Sequence, residues 1–199
     1  MSIEDMAVKA NELKEKGQTN REISQEMHLS QATVEWLLAK QATKNFDERA
    51  PPDVKVGWRT IGVAGSRINA ISEIMADVIL EEQEKRGFEL DMVAGVTHNG
   101  IPLATIISDL LGIDFGMIRP SREGTQTNYA SNYAGLKGKN VVLVDDVIST
   151  GSTTKEVIKF IREKEGMPVL AMVLINKKAE NQLDDVPLRA LIRARPVRT

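Results

Sequence analysis

The 199-residue sequence has no cysteine and only two histidines, His28 and His98. Disulfides and thiolate metal sites are therefore excluded. The two imidazoles lie far apart in sequence, so no metal site is expected. Aromatic residues make up only 4%, so the core must rest on Ile, Val, Leu, Met and Ala. No apolar run approaches the roughly 18 residues a membrane helix needs. The first ten residues carry Glu4 and Asp5 in place of a signal-peptide core. A cytoplasmic protein with no membrane partner is expected. An excess of positive charge is also missing, since 26 Lys and Arg face 28 Asp and Glu. Any nucleic-acid contact must rest on local features. What remains, 42% hydrophobic and 27% charged residues, is ordinary for a globular chain. The length suits one domain with a small appendage.

The rhythm of apolar residues changes along the chain. Met6, Ala10 and Leu13 recur at helical spacing, and Gly17 ends that segment. Asn20 can cap a second helix carrying Ile23 and Met27. Ser30 can cap a third carrying Val34, Leu37 and Leu38. Residues 41–56 are polar and contain Pro51-Pro52, which reads as a connection. The spacing of Ile68, Ile71, Met75, Val78 and Ile79 then predicts a long amphipathic helix. Short apolar runs follow at 92–96, 113–118, 141–144 and 169–175, with helices predicted over 102–111 and 152–165. Strand, loop, helix, repeated, predicts an α/β domain with a parallel sheet covered on both faces. The expected organisation is an all-α unit at 1–44, a linker at 45–56 and the α/β domain at 57–199.

The strongest motif is Val141-Val-Leu-Val-Asp145-Asp146-Val-Ile-Ser149-Thr150-Gly151-Ser152-Thr153. Four apolar residues suit a buried strand. Two carboxylates stand at its carboxyl end, where open α/β sheets bind ligands. A loop of hydroxyls and glycine then enters a helix, whose first N–H groups favour a phosphate. Adjacent carboxylates can accept hydrogen bonds from vicinal ribose hydroxyls. This run resembles the thirteen-residue phosphoribosyl pyrophosphate signature of type I phosphoribosyltransferases at every position. The resemblance implies that fold, with Asp145 and Asp146 on the ribose and Ser149, Thr150, Gly151, Ser152 and Thr153 around the 5′-phosphate. It also implies Mg2+ carried by the ligand, with no intrinsic cofactor.

The run Val93-Ala-Gly95-Val-Thr97-His98-Asn99-Gly100-Ile-Pro102-Leu is strand, loop and helix again. It resembles the pyrophosphate loop of orotate phosphoribosyltransferases, which implies pyrophosphate contacts from Thr97, His98, Asn99 and Gly100. His98 either donates to pyrophosphate or is a solvated loop residue. The mobile catalytic loop departs from those enzymes. They carry two lysines and a histidine where this chain has Pro120, Glu123 and Thr125; Arg119 persists, and Arg122 compensates only in part. A departing pyrophosphate needs positive partners, so no catalytic residue is expected. If the domain is an enzyme, Asp145, Asp146, Arg119 and Arg122 are the candidates. The base site also differs, with Asn176-Lys177-Lys178 in place of Asp-Arg. Residues 127–135 read as a loop or edge hairpin, with Tyr129 and Tyr133 packing on the domain or across a dimer.

Residues 20–37 have helix-turn-helix spacing, with Ile23, Met27, Leu29, Val34 and Leu37 inward. His28 stands at the usual turn glycine. Gln31, Ala32, Thr33, Glu35 and Trp36 are then expected to face outward or sideways, where such a helix meets the major groove. Lys40 and Lys44 are candidate phosphate contacts. Trp36 serves either DNA or an assembly contact. Residues 1–46 hold six Lys or Arg against seven Asp or Glu, which weighs toward a packing module. One such helix makes few phosphate contacts, so a homodimer is expected. Arg189, Arg193, Arg195 and Arg198 read as a solvated strand face. The whole combination resembles the archaeal regulators that look like orotate phosphoribosyltransferases. It implies a transcription regulator that binds double-stranded DNA and senses phosphoribosyl pyrophosphate or a related sugar phosphate. The rival is an active phosphoribosyltransferase acting on orotate or a purine.

Overall fold

The computed structural model describes residues 2–43, 50–51, 53–96, 98–121 and 126–195. The chain divides into two compact units, one of Met1–Gly57 with Ala194–Thr199 and one of Trp58–Arg193.

The first unit is built on three helices: α1 (Ile3–Glu15), α2 (Asn20–Met27) and α3 (Gln31–Thr43). Capping boxes open the first two, Ser2 with Asp5 and Thr19 with Glu22. Thr19 therefore caps α2, and Asn20 is the first helical residue, so the helix begins one position earlier than the sequence suggested. A side chain reaching back to the first turn satisfies N–H groups that the helix cannot. Ser30 does this for α3, accepting from the Thr33 N–H at 3.1 Å. His28 ends α2 at φ 53°, the left-handed conformation expected of the turn position. Ala7, Ala10, Leu13, Ile23, Met27, Leu29, Val34 and Leu37 form the buried core of the unit.

The second unit opens with a one-turn helix, α4 (Arg59–Gly62), and the long helix α5 (Gly65–Arg86). Then come β1 (Met92–Val96), α6 (Gly100–Leu111), β2 (Asp114–Arg119), β3 (Asn128–Tyr129) and β4 (Asn140–Ile148). The unit closes with α7 (Ser152–Glu163), β5 (Met167–Asn176), β6 (Gln182–Leu183) and β7 (Val186–Arg193). The sheet order is β3-β2-β1-β4-β5-β7-β6, parallel except for β3 and β6 at the edges.

The alternation along each strand splits the core in two. Met92, Ala94, Val96, Val141 and Leu143 pack with Val157, Ile158 and Ile161 of α7. Val93, Val142 and Val144 pack with Met75 and Ile79 of α5 and Leu103 and Ile107 of α6. Period-two alternation sends neighbours to opposite faces, so a strand covered on both sides reads as continuously apolar. The apolar runs at 92–96 and 141–144 have this origin.

The C-terminal strand is less solvated than expected. Arg189 is half-buried, and its guanidinium lies 2.9 Å from the fully buried Glu82 of α5. Arg86 pairs with the same carboxylate at 2.6 Å. Burial, the largest single effect, pushes Glu82 up, but Arg86, Arg189 and Lys85 together outweigh it and hold the carboxyl below the usual range. Arg193 and Arg195 are exposed, and Arg198 lies outside the described residues. Tyr133 packs edge-on against Phe115 at 5.2 Å, and Tyr129 lies 6.4 Å from Phe160. Both tyrosines thus pack on their own domain.

Candidate functional site

Strand β4 lies inside the sheet, paired in parallel with β1 on one edge and β5 on the other. It carries Asp145 and Asp146 to the carboxyl end of the sheet. Ser149 and Thr150 follow, and Gly151 turns the chain into α7 at φ 80°. That conformation suits glycine and strains any other residue. Ser152 and Thr150 are exposed, with their hydroxyls 3.0 Å apart. Ser149 and Thr153 are half-buried on the same loop. The hydroxyls and the first N–H groups of a three-turn helix thus converge where a phosphate is favoured.

The second loop meets the first through Gly100, the first residue of α6. A Cβ at Gly100 would lie 2.2 Å from the Val144 carbonyl oxygen and 3.0 Å from the Asp145 Cα. Only glycine lets α6 start this close to β4. Asn99 crosses the same gap and donates to Asp146 Oδ2 at 2.9 Å. His98 is exposed on this loop. Thr97 lies outside the described residues. Gly100→Ala is expected to destabilise the protein by about 2 kcal/mol or more, by overpacking, although glycine to alanine within an open helix would gain about 1 kcal/mol. Urea unfolding decides the sign; wild-type stability would contradict the close approach.

The two carboxylates differ. Asp146 is buried, with 5% exposure, and accepts from Asn99 and from the indole N–H of Trp58 at 2.7 Å. Asp145 accepts from the Asp146 N–H at 2.9 Å. Burial, with the neighbouring Asp146 carboxylate adding to it, pushes Asp145 well above the usual carboxylate range. Its folded-state proton affinity exceeds its unfolded one. Stability from this group is therefore present at low pH and lost as pH rises through the raised value. Asp145→Asn is expected to gain about 1–2 kcal/mol at pH 8, with the gain fading on acidification. Denaturation series at several pH values check this, and a gain independent of pH would contradict it.

Other residues at this end escaped the sequence reading. Glu156 of α7 accepts from the Ser121 N–H at 2.6 Å and from the Thr127 hydroxyl, and so ties down both ends of the loop after β2. Arg119 is exposed at the end of β2, and Pro120 is half-buried. Arg122, Glu123 and Thr125 lie outside the described residues. Lys178 does not sit in open solvent beyond β5. Its stem passes over Gly151, whose Cβ would lie 3.2 Å from Lys178 Cδ. Buried Asn176 holds it there by accepting from the Lys178 N–H at 2.7 Å. Lys178, the second of the two lysines after Asn176, is therefore beside the phosphate loop.

On the first unit, α3 presents Ala32, Glu35, Ala39 and Ala42 to solvent, with Gln31 half-buried. Two expectations are corrected. Thr33 is buried, with its hydroxyl donating to Asp53 at 2.9 Å and meeting Ser30 at 2.8 Å. Lys40 is 8% exposed and is taken up by its own unit, so it is not an open phosphate contact. Trp36 is half-buried and packs on the three-helix core. Lys44 lies outside the described residues. Asp53, read as linker, accepts from the Ser30 N–H at 2.6 Å and belongs to this unit.

Paired acids after a central parallel strand, a hydroxyl-rich turn into a helix and a glycine-crossed second loop define a type I phosphoribosyltransferase domain. The family model for the phosphoribosyl transferase domain matches residues 58–191. An orotate phosphoribosyltransferase from Aeropyrum pernix has the same fold at TM-score 0.57, covering 78% of this chain and 93% of that one at 23% identity. Over the whole length, the chain is 45% identical to the transcriptional regulator GfcR of Thermoplasma acidophilum, covering 98% of each. It is 42% identical to the GfcR of Picrophilus torridus, over 96% of this chain and 97% of that one. The chain belongs to the GfcR family of transcriptional regulators. Among the described residues, no helix is long and apolar enough to cross a membrane.

Proposed function

We propose that this regulator acts in the cytoplasm as a homodimer that reads double-stranded DNA with α2 and α3 and senses a sugar phosphate in its second unit. Phosphoribosyl pyrophosphate is the ligand that suits the site best. Its ribose hydroxyls donate to Asp145 and Asp146, and its 5′-phosphate meets Ser149 to Thr153. Its pyrophosphate meets Thr97, His98, Asn99 and Gly100. Mg2+ enters on the pyrophosphate, whose oxygens suit that ion. The observation that carries this reading is the convergence of both loops on one buried carboxylate, Asp146, through Asn99.

Binding without turnover follows from the loop after β2. Pro120, Glu123 and Thr125 leave it without the cations that a departing pyrophosphate requires. The rival, transfer of the phosphoribosyl group to orotate or a purine, needs Arg119 and Arg122 to do that work alone. Turnover on a nucleobase panel, abolished by Asp146→Asn, would establish the rival.

The DNA face is narrower than the sequence alone suggested. Gln31, Ala32 and Glu35 are the side chains that reach the groove, and small Ala32 suits a thymine methyl. Fluorescence anisotropy on the protein's own upstream DNA, across a salt series, tests this function. Removal of residues 1–46 abolishes binding and leaves ligand binding in place. A truncated chain that still binds DNA would refute the proposal.

A further inference from the structure

Trp58 is the first residue of the second unit, and neither loop motif includes it. Its ring folds back over α4. A Cβ at Gly62 would lie 2.9 Å from Trp58 Cζ3 and 3.3 Å from Cε3, so the six-membered ring of the indole occupies the space that a side chain at Gly62 would need. From that seat the indole N–H reaches Asp146 Oδ2 at 2.7 Å. Asn99 reaches the same oxygen at 2.9 Å. A carboxylate oxygen offers two good acceptor positions, and these two donors fill them. A ribose hydroxyl that seeks this oxygen must displace one of them. Asn99 lies on a loop that itself faces the ligand, whereas Trp58 brings only one N–H and a ring already half-exposed.

We propose that Trp58 is a ligand-displaced plug: a ribose-bearing ligand takes Asp146 Oδ2 from the indole N–H, which leaves the carboxylate. The plug rests on the reading of Asp146 as a ribose carboxylate. It adds a built-in competitor that sets the ligand affinity of the site. Ligand and indole compete for one oxygen, so the ligand favours the released state, as a shift of equilibrium requires. Removing the competitor removes its cost to binding.

The test uses the full chain labelled with 5-fluorotryptophan, whose two tryptophans give two fluorine resonances, assigned by Trp58→Phe. The probes are ribose 5-phosphate and magnesium phosphoribosyl pyrophosphate, with binding measured in parallel by calorimetry. The Trp58 resonance is expected to move on saturation while that of Trp36 moves less. Trp58→Phe, which keeps the ring and loses the N–H, is expected to bind ribose 5-phosphate about 3- to 10-fold tighter. Gly62→Val, which pushes the ring off its seat, should act in the same direction. A Trp58 resonance unmoved at proven saturation, or variants that bind ribose 5-phosphate as the wild type does, would overturn the plug and leave the sugar-phosphate site intact. No binding of either probe by wild type or variants would overturn both.

Discussion

Asp146→Asn is expected to weaken binding of magnesium phosphoribosyl pyrophosphate by about 100-fold. A hydrogen bond to a charged group contributes about 1.5–3 kcal/mol, and 2.7 kcal/mol corresponds to about 100-fold. The substitution keeps the shape of the side chain, but its amide group turns a donor toward either the ligand hydroxyls or the two donors already present, Trp58 and Asn99. The fold should survive, because the strand that carries Asp146 is held by β1 and β5 through its backbone. Calorimetry together with a melting curve separates the two effects. A folded variant binding within about fivefold of wild type would show that the ribose lies elsewhere.

The second large effect is on DNA. Ala32→Glu is expected to weaken DNA binding by about 100-fold without changing stability. Ala32 is exposed in the first turn of α3, so the new side chain meets solvent in the free protein. In the complex it meets phosphate oxygens, and a like-charge juxtaposition costs several kcal/mol. A homodimer carries the change twice. An anisotropy titration at fixed salt reads the loss. Unchanged affinity would place α3 away from the groove.

The two units were unequally legible from the sequence. The site end of the second unit followed from four consecutive apolar residues before two acids, because a strand covered on both faces has no polar alternation to hide it. The phosphate turn followed because few residue types tolerate the φ of Gly151 or supply donors at a helix start. Trp58 was invisible, since its partner lies 88 positions away in the chain and a single tryptophan has no periodicity. Glu156 was hidden for the same reason, being a polar residue on an amphipathic helix that happens to face a distant loop. On α3, three apolar positions fixed the inward direction but left the flanks undetermined. Thr33 went inward because Asp53 recruits its hydroxyl from 20 residues away. Lys40 was buried by its long apolar stem, as lysines often are at the edge of a core. Arg189 gave no sign of its buried partner, because Glu82 sits on a helix otherwise marked only by its apolar stripe.

The stability and function of the carboxylate pair pull apart. Burial, with the repulsion of the adjacent Asp146 carboxylate added to it, raises Asp145 well above the ordinary range. A ligand whose hydroxyls donate to both relieves that cost, which a purely structural strand end would have no reason to retain.

Anisotropy of the full chain on its own upstream DNA, with and without magnesium phosphoribosyl pyrophosphate at a concentration shown by calorimetry to saturate the protein, measures the link between the two units. A change in DNA affinity of about fivefold or more, the range of ordinary allosteric coupling, is the predicted result. An identical affinity with and without saturating ligand would contradict a ligand-sensing regulator.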